Sequence, residues 1–254
     1  MNNGLLNTID QNTSLLDNWD SYAIDGRKII SAFKKIRVLL FPDYFESEYS
    51  REELLHEAFK QLDKETAKIV SNHEELIKEF FNRIPDIQRV LYTDVEAIYN
   101  GDPSSKTYTE IIYAFPGFIA VFLYRLAHEL YELNVPIIPR VITEYAHEKT
   151  GIDINPGAKI GEYFCIDHGT GIVVGETAVI GNHVRMYHGV TLGVRNFRKD
   201  ENGNLLKGGK RHPNIGNHVI LYANCTILGG DTYIADNSVI PAGSLILQTP
   251  ETFR

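Results

Sequence analysis

The sequence predicts an α+β chain: an N-terminal α-helical domain, residues 1–150, followed by a parallel β-helix, residues 151–254, with a loop extruded at about 193–214. Three observations carry this. Apolar residues recur at three- and four-residue spacing up to about residue 150, the period of helices. After Gly151 the spacing becomes six. From Gly193 to Asn214 the six-residue series lapses around an Asn-Gly dipeptide.

Taken in order, EELLHEAFKQLDKETAKIVSNHEELIKEFFNRI sets charges between its apolar positions, as a surface helix does. GFIAVFLYRLAHELYEL, residues 117–133, has a narrow polar side and is expected to be largely buried. Between them Asp102-Pro103-Ser104-Ser105 reads as a loop whose Asp or Ser caps the helix that follows. In the second half Ile154, Ile160, Ile166 and Ile172 are six apart. After an eight-residue step come Ile180, Met186 and Leu192; the series resumes at Ile215, Leu221 and Ile227, then slips by one to Ile234 and Ile240. A coil this small cannot bury its own face, so stability must come from stacking each coil on the last.

The interruption reads as a hairpin arm turning at Asn202-Gly203. It holds Arg195, Arg198, Lys199, Lys207, Lys210 and Arg211 against Asp200 and Glu201, in a chain of net charge −8. A basic loop on a rigid scaffold is a natural ligand contact. The overall acidity argues against nucleic acid as the main partner. No apolar run approaches the ~18 residues of a membrane span, and MNNGLLNTIDQN lacks the parts of a signal peptide, so no membrane and a cytoplasmic location are expected. Cys165 and Cys225, each among apolar neighbours, read as buried thiols.

GIDINPGAKIG, DHGTGIVVGETAVIG, GVTLG and KRHPNIG, in this order, resemble the serine acetyltransferases of cysteine biosynthesis, a hexapeptide-repeat acyltransferase family. The similarity reaches upstream through Asp102-Pro103 and YRLAH at 124–128 and covers roughly residues 100–248. It implies a left-handed coil, against the usual right-handed crossover. It also implies a homotrimer, or a dimer of trimers joined through the helical domain. The implied reaction moves acetyl from acetyl-CoA to the hydroxyl of L-serine. Acetyl-CoA is then a co-substrate, and neither a permanently bound cofactor nor a metal is assigned.

Residue by residue, His168 matches the family's general base, and Asp153 the acid that orients its ring. Their separation of fifteen, in coils of about eighteen residues, independently sets them close on successive coils. Asp102 and Asp167 match groups that receive the amino acid's ammonium, Arg211 the group that binds its carboxylate, and His212 a second imidazole that holds the substrate. Coenzyme A is expected along the solenoid edge at Ala223 and Ala242, with Lys210 toward its phosphates. Glu176 is read as structural and His128 as packed or capped. These residues suit an amino acid without separating serine from homoserine or threonine. Cysteine, isosteric with serine, is expected to compete.

Two rival readings remain. HVRMYH places His183 and His188 five apart, as in the γ-class carbonic anhydrases, with His168, His212 and His218 as further ligands for a zinc that activates water. No other feature around HVRMYH matches that family. The other reading is a non-catalytic scaffold, since serine acetyltransferases bind O-acetylserine sulfhydrylase through a tail ending in isoleucine. This sequence ends QTPETFR, without that isoleucine and without the family's GVPA-like segment.

Overall fold

The structure, a computed structural model, describes residues 3–13 and 20–250. Met1 and Asn2, and residues 251–254 on which the tail expectation rests, lie outside the described residues. The described helices are α1 (Asn3–Thr13), α2 (Gly26–Leu40), α3 (Arg51–Thr66), α4 (His73–Gly101), α5 (Tyr108–Ala114), α6 (Pro116–Glu132) and α7 (Ile138–Thr150). Their starts follow local chemistry. The Asp25 carboxylate accepts from the Arg27 N–H at α2, and Ser50 with Glu53 and Thr107 with Glu110 form reciprocal capping boxes at α3 and α5. Thr107, not Asp102 or a nearby serine, is therefore the cap of the following helix. Asp102 instead ends α4, and its Oδ1 accepts from the Ser104 N–H at 2.8 Å.

α6 is buried nearly all round because it serves two cores. Phe118, Phe122 and Leu126 pack among the helices, while Ala120, Val121 and Tyr124 pack into the solenoid. At its start Gly117 meets the solenoid so closely that a Cβ there would lie 2.7 Å from the Ile166 carbonyl oxygen. No single described helix is long and apolar enough to cross a membrane.

The strands come in coils of three. The first coil holds β1 (Asp153–Ile154), β2 (Lys159–Ile160) and β3 (Cys165–Asp167). The second holds β4 (Val173–Val174), β5 (Val179–Ile180) and β6 (Arg185–Tyr187), and the third β7 (Thr191–Gly193), β8 (Asn214–Ile215) and β9 (Ile220–Leu221). The fourth holds β10 (Thr226–Leu228), β11 (Tyr233–Ile234) and β12 (Val239–Ile240), with β13 (Leu245–Ile246) beginning a fifth. Like strands stack in parallel into three sheets: A from β1 to β13, B from β2 to β11 and C from β3 to β12. The expected arm leaves sheet A after β7 and returns at β8. Lys199 bridges Leu205, and the Asp200 carboxylate accepts from the Asn202 and Asn204 amides around Gly203 at φ +83°.

The register corrects one position in the repeat. Ile154 stacks under Val174, which stacks under Leu192. Ile172 is buried but belongs to the corner that precedes the strand. The eight-residue step therefore lies between Ile166 and Val174, and the two extra residues enlarge the corner that contains His168. The buried thiols are as expected: Cys165 and Cys225 are free, and burial pushes each up to about 12, too high for a reactive thiolate.

A buried ion pair between two helices also grips the solenoid. Arg125 of α6 donates Nε and Nη2 to the two carboxylate oxygens of Asp94 on α4, both at 3.0 Å. The same guanidinium reaches the carbonyls of Ile160 and Gly161 at 2.5 Å, and Asp94 Oδ1 accepts the Phe164 N–H at 2.9 Å. Burial pushes the Asp94 carboxyl up, with the guanidinium and the amide pulling against it. Burial likewise works against the Arg125 charge, and Asp94 outweighs it, holding that group above its ordinary value. The two-point geometry requires a carboxylate, so the pair is ionised. Arg125→Met, which strands the Asp94 charge, is expected to cost about 3–5 kcal/mol. Asp94→Leu with Arg125→Met should recover much of that, as measured by urea unfolding. Equal losses in the single and double variants would rule the pairing out as the cause.

Candidate active site

The three sheets meet at three edges, and the expected site residues divide among them. On the edge from sheet C to sheet A, His168 follows β3 in the left-handed region, φ +58°, a conformation that histidine tolerates better than most residues. Its side chain is 76% exposed, and Nε2 lies 3.7 Å from Asp167 Oδ1. Asp153 stands at the same edge one coil below. The Gly171 N–H donates to the Gly151 carbonyl at 2.8 Å, closing the His168 corner over the segment that leads into β1. Asp153 and His168 thus share an edge. No hydrogen bond joins them among the described residues. The Asp153 carboxylate instead faces the end of α7, with ligand atoms of Glu144 and His147 in a group no wider than 4.8 Å.

The register carries this edge upward. Asp167 pairs with Tyr187, so His188 stands above His168, their rings edge-on at 5.9 Å. Continuing through sheet C, Ala223 stands above His188 and Ala242 above Ala223, whose carbonyl accepts the Gly243 N–H at 2.9 Å. The two alanines therefore occupy matching positions, and they lie in line with His168. Asp102 reaches the foot of sheet C from the end of α4. There Arg185 of β6 donates to the Gly101 carbonyl at 2.5 Å and is attracted to Asp167.

Arg211 and His212 sit on a different edge, from sheet A to sheet B, where the arm rejoins the coil. Thr177 organises them: its Oγ1 accepts the backbone N–H of Arg211 at 2.9 Å and of His212 at 3.1 Å. Its own N–H donates to His212 Nδ1 at 3.1 Å. A ring nitrogen that accepts carries no proton, so His212 is the neutral tautomer with hydrogen on Nε2. Burial pushes its pKa down to about 4, and the charges of Arg211 and Lys210 add to the shift. Arg211 pairs with Glu176, which also accepts from the Tyr131 hydroxyl at 3.0 Å. Burial opposes the Glu176 charge, but these two bonds hold the carboxyl below its ordinary range. Lys210 donates to the Thr177 carbonyl. Beneath the arm lies a cavity of about 910 Å³, lined by Arg195, Phe197, Leu206, Lys207 and Arg211 among others.

Within one chain, then, Asp153, Asp167 and His168 share one edge, and Asp102 ends α4 beside Gly101, whose carbonyl Arg185 holds. Arg211 and His212 gather at another edge, with sheet A between them. The histidines of HVRMYH stand on two different edges, at either end of β6. His183 stacks between Tyr163 and His218, at 4.3 and 4.6 Å, whereas His188 is at the opposite end of β6. Their spacing in sequence does not bring their rings together. His128 is packed as expected, with Nδ1 2.7 Å from the Pro156 carbonyl and its ring stacked on Tyr124. Thr177, Tyr131 and Arg185 escaped the sequence reading. Thr177 alone had a signal, its place in the GET block, and the other two act through folds of the chain that spacing does not reveal.

Known proteins agree with this architecture. A model of the N-terminal region of serine acetyltransferases matches residues 46–122. A plasmid-encoded serine acetyltransferase of Synechococcus elongatus is 46% identical over 193 residues, 72% of this chain and 60% of that protein. The chain thus spans less than two thirds of that relative's length. The Bacillus subtilis serine acetyltransferase is 38% identical over 65% of this chain and 71% of its own. Among solved structures, serine acetyltransferase isoform 3 of Entamoeba histolytica, in complex with cysteine, superposes with a TM-score of 0.76 at 34% identity, covering 86% of this chain and 77% of its own. The Brucella abortus enzyme in complex with coenzyme A gives 0.62 at 28% identity, over 86% and 74%. The solenoid is the left-handed parallel β-helix of these proteins, and the chain belongs to the serine acetyltransferase family.

Proposed function

We propose that this protein is a serine O-acetyltransferase, moving acetyl from acetyl-CoA to the hydroxyl of L-serine for cysteine biosynthesis. The observation that carries the reading is the register that aligns His168 with Ala223 and Ala242 on one edge. A thioester lying along small residues there would end at an exposed imidazole. Relatives bind cysteine, which differs from serine in one atom, and coenzyme A.

In this reading His168 removes the serine hydroxyl proton as the oxygen attacks the thioester carbonyl. The imidazolium then returns a proton to the departing thiolate, and no acyl-enzyme forms. Asp153 receives the ring when it swings from Asp167, fixing its tautomer and steadying its positive charge. Asp102 and Asp167 take the substrate ammonium, Arg211 its carboxylate in the orientation set by Glu176, and His212 donates from Nε2. Lys210 and the rest of the arm face the coenzyme A phosphates. No permanently bound cofactor and no metal enter this scheme.

The division of these groups between two edges supports a site completed by a second copy. The Arg211–His212 edge of one chain would face the His168 edge of its neighbour around a threefold axis, giving a homotrimer. Residues 1–150 are proposed as the part that joins trimers and supplies Asp102, and residues 151–254 as the acyltransferase domain.

L-Serine-dependent thiol release from acetyl-CoA is expected to persist after exhaustive chelation, and His168→Ala should reduce kcat by about 10²–10⁴-fold. Chelation-sensitive release, or full activity in that variant, would return the reading to metal chemistry. Mixing inactive His168→Ala with inactive His212→Ala, followed by reassembly, should restore part of the activity, because some edges then pair two intact halves. Two variants that stay inactive when mixed would place each whole site within one chain.

Proton linkage at His212 has a definite sign. Its folded pKa, about 4, lies below the ordinary 6.5, so the unfolded chain takes up the proton first. The associated stability is complete above pH 6.5 and falls as pH drops toward 4, by at most about 1.4 kcal/mol per pH unit. Tm measured across that window should decline less steeply for His212→Gln than for the parent protein. Parallel curves would exclude this linkage.

A further inference from the structure

Arg185 belongs to none of the sequence blocks that identify the family, yet it spans the gap between the solenoid and the end of α4. β6 presents it outward from sheet C, one rung above Cys165, on the side that α4 approaches. Its Nη1 donates to the carbonyl of Gly101 at 2.5 Å, the residue immediately before Asp102. Carbonyls at the end of a long helix carry partial negative charge, so a guanidinium is well placed there. Tyr187, two residues on along the same face of β6, and the Asp167 carboxylate both favour its positive charge. The approach depends on glycine, since a Cβ at position 101 would lie 1.6 Å from Arg185 Nη2.

We propose that Arg185 is a positioning residue for amino-acid binding: by holding the Gly101 carbonyl from sheet C, it fixes Asp102 opposite Asp167. The argument rests on the reading above, in which those two carboxylates receive the substrate ammonium. Two carboxylates brought together repel one another while the pocket is empty. The guanidinium, tied back to the Gly101 carbonyl, offsets that repulsion without occupying the ammonium's place. Binding of the amino acid therefore depends on Arg185. The chemical step and the acetyl-CoA site, which lies along the edge above His168, do not.

The test is steady-state kinetics of Arg185→Met, Arg185→Lys, Asp102→Asn and the Asp102→Asn/Arg185→Met double variant, with both substrates varied. Arg185→Met should raise KM for L-serine by about ten- to a hundredfold, the scale of losing a charge-assisted hydrogen bond. It should leave kcat and the KM for acetyl-CoA within about twofold. Arg185→Lys should recover most of the loss, and Arg185→Met should add little once Asp102 is Asn. A raised KM in Asp102→Asn beside an unchanged one in Arg185→Met would overturn the proposal and leave the ammonium reading standing. Unchanged KM values in both would overturn both. Additive effects in the double variant would place Arg185's influence elsewhere and overturn the proposal too. Should Arg185→Met fail to fold, Gly101→Ala tests the same contact with the arginine intact. A raised serine KM at an unaltered Tm supports the assignment, and an unaltered KM overturns it.

Discussion

The buried pair of Asp94 and Arg125 is the contact on which the geometry of the site depends. It costs desolvation at both ends, and such pairs are often no more stabilising than apolar residues of the same volume. Its value here is positional. The guanidinium uses its remaining donors on carbonyls of the first coil, and the carboxylate takes an amide from the corner beside them. α4 and α6 are thereby held in one register against the solenoid. Asp102 stands eight residues beyond Asp94 along α4, about 12 Å at 1.5 Å per residue. A helix shifted by one turn would carry Gly101 and Asp102 away from Arg185. Apolar packing alone, which is non-directional, would not specify that register.

The solenoid departs from regularity where chemistry is proposed. Most corners turn in the fewest residues that keep the inward column in step. The corner holding His168 takes two more, and with them a buried isoleucine that fills the added space. The second departure, the arm, returns Arg211 and His212 onto Thr177. Local rules fail at functional positions because the fold gives up regularity there for a side chain in a specified place.

Charge is arranged by edge. The Asp167 carboxylate lies 3.7 Å from the imidazole of His168, which is exposed to water. His212 is buried beside two cations and kept neutral. Of the two, only His212 has its protonation fixed by its surroundings, which leave it to donate one defined hydrogen bond. Glu176 prevents the arm's cations from dominating by pairing with Arg211, and Tyr131 ties that pair to α6.

What the sequence determined by itself was whatever repeats or is local. The change of period at Gly151 marked helix from solenoid, Asn202-Gly203 marked the arm's turn, and the ordered blocks identified the family and most of the residues proposed for its site. It misjudged Ile172, because a six-residue count cannot register two residues inserted in a corner, and the cap at Asp102, because two residue types competed for that role. It could not say which residues share an edge. That depends on how many residues each corner consumes and on where α4 docks, both settled by packing and by the Asp94–Arg125 pair. For this reason the separation of His168 from Arg211 and His212, the neutral state of His212 and the reach of Arg185 to Gly101 became visible only in the folded chain.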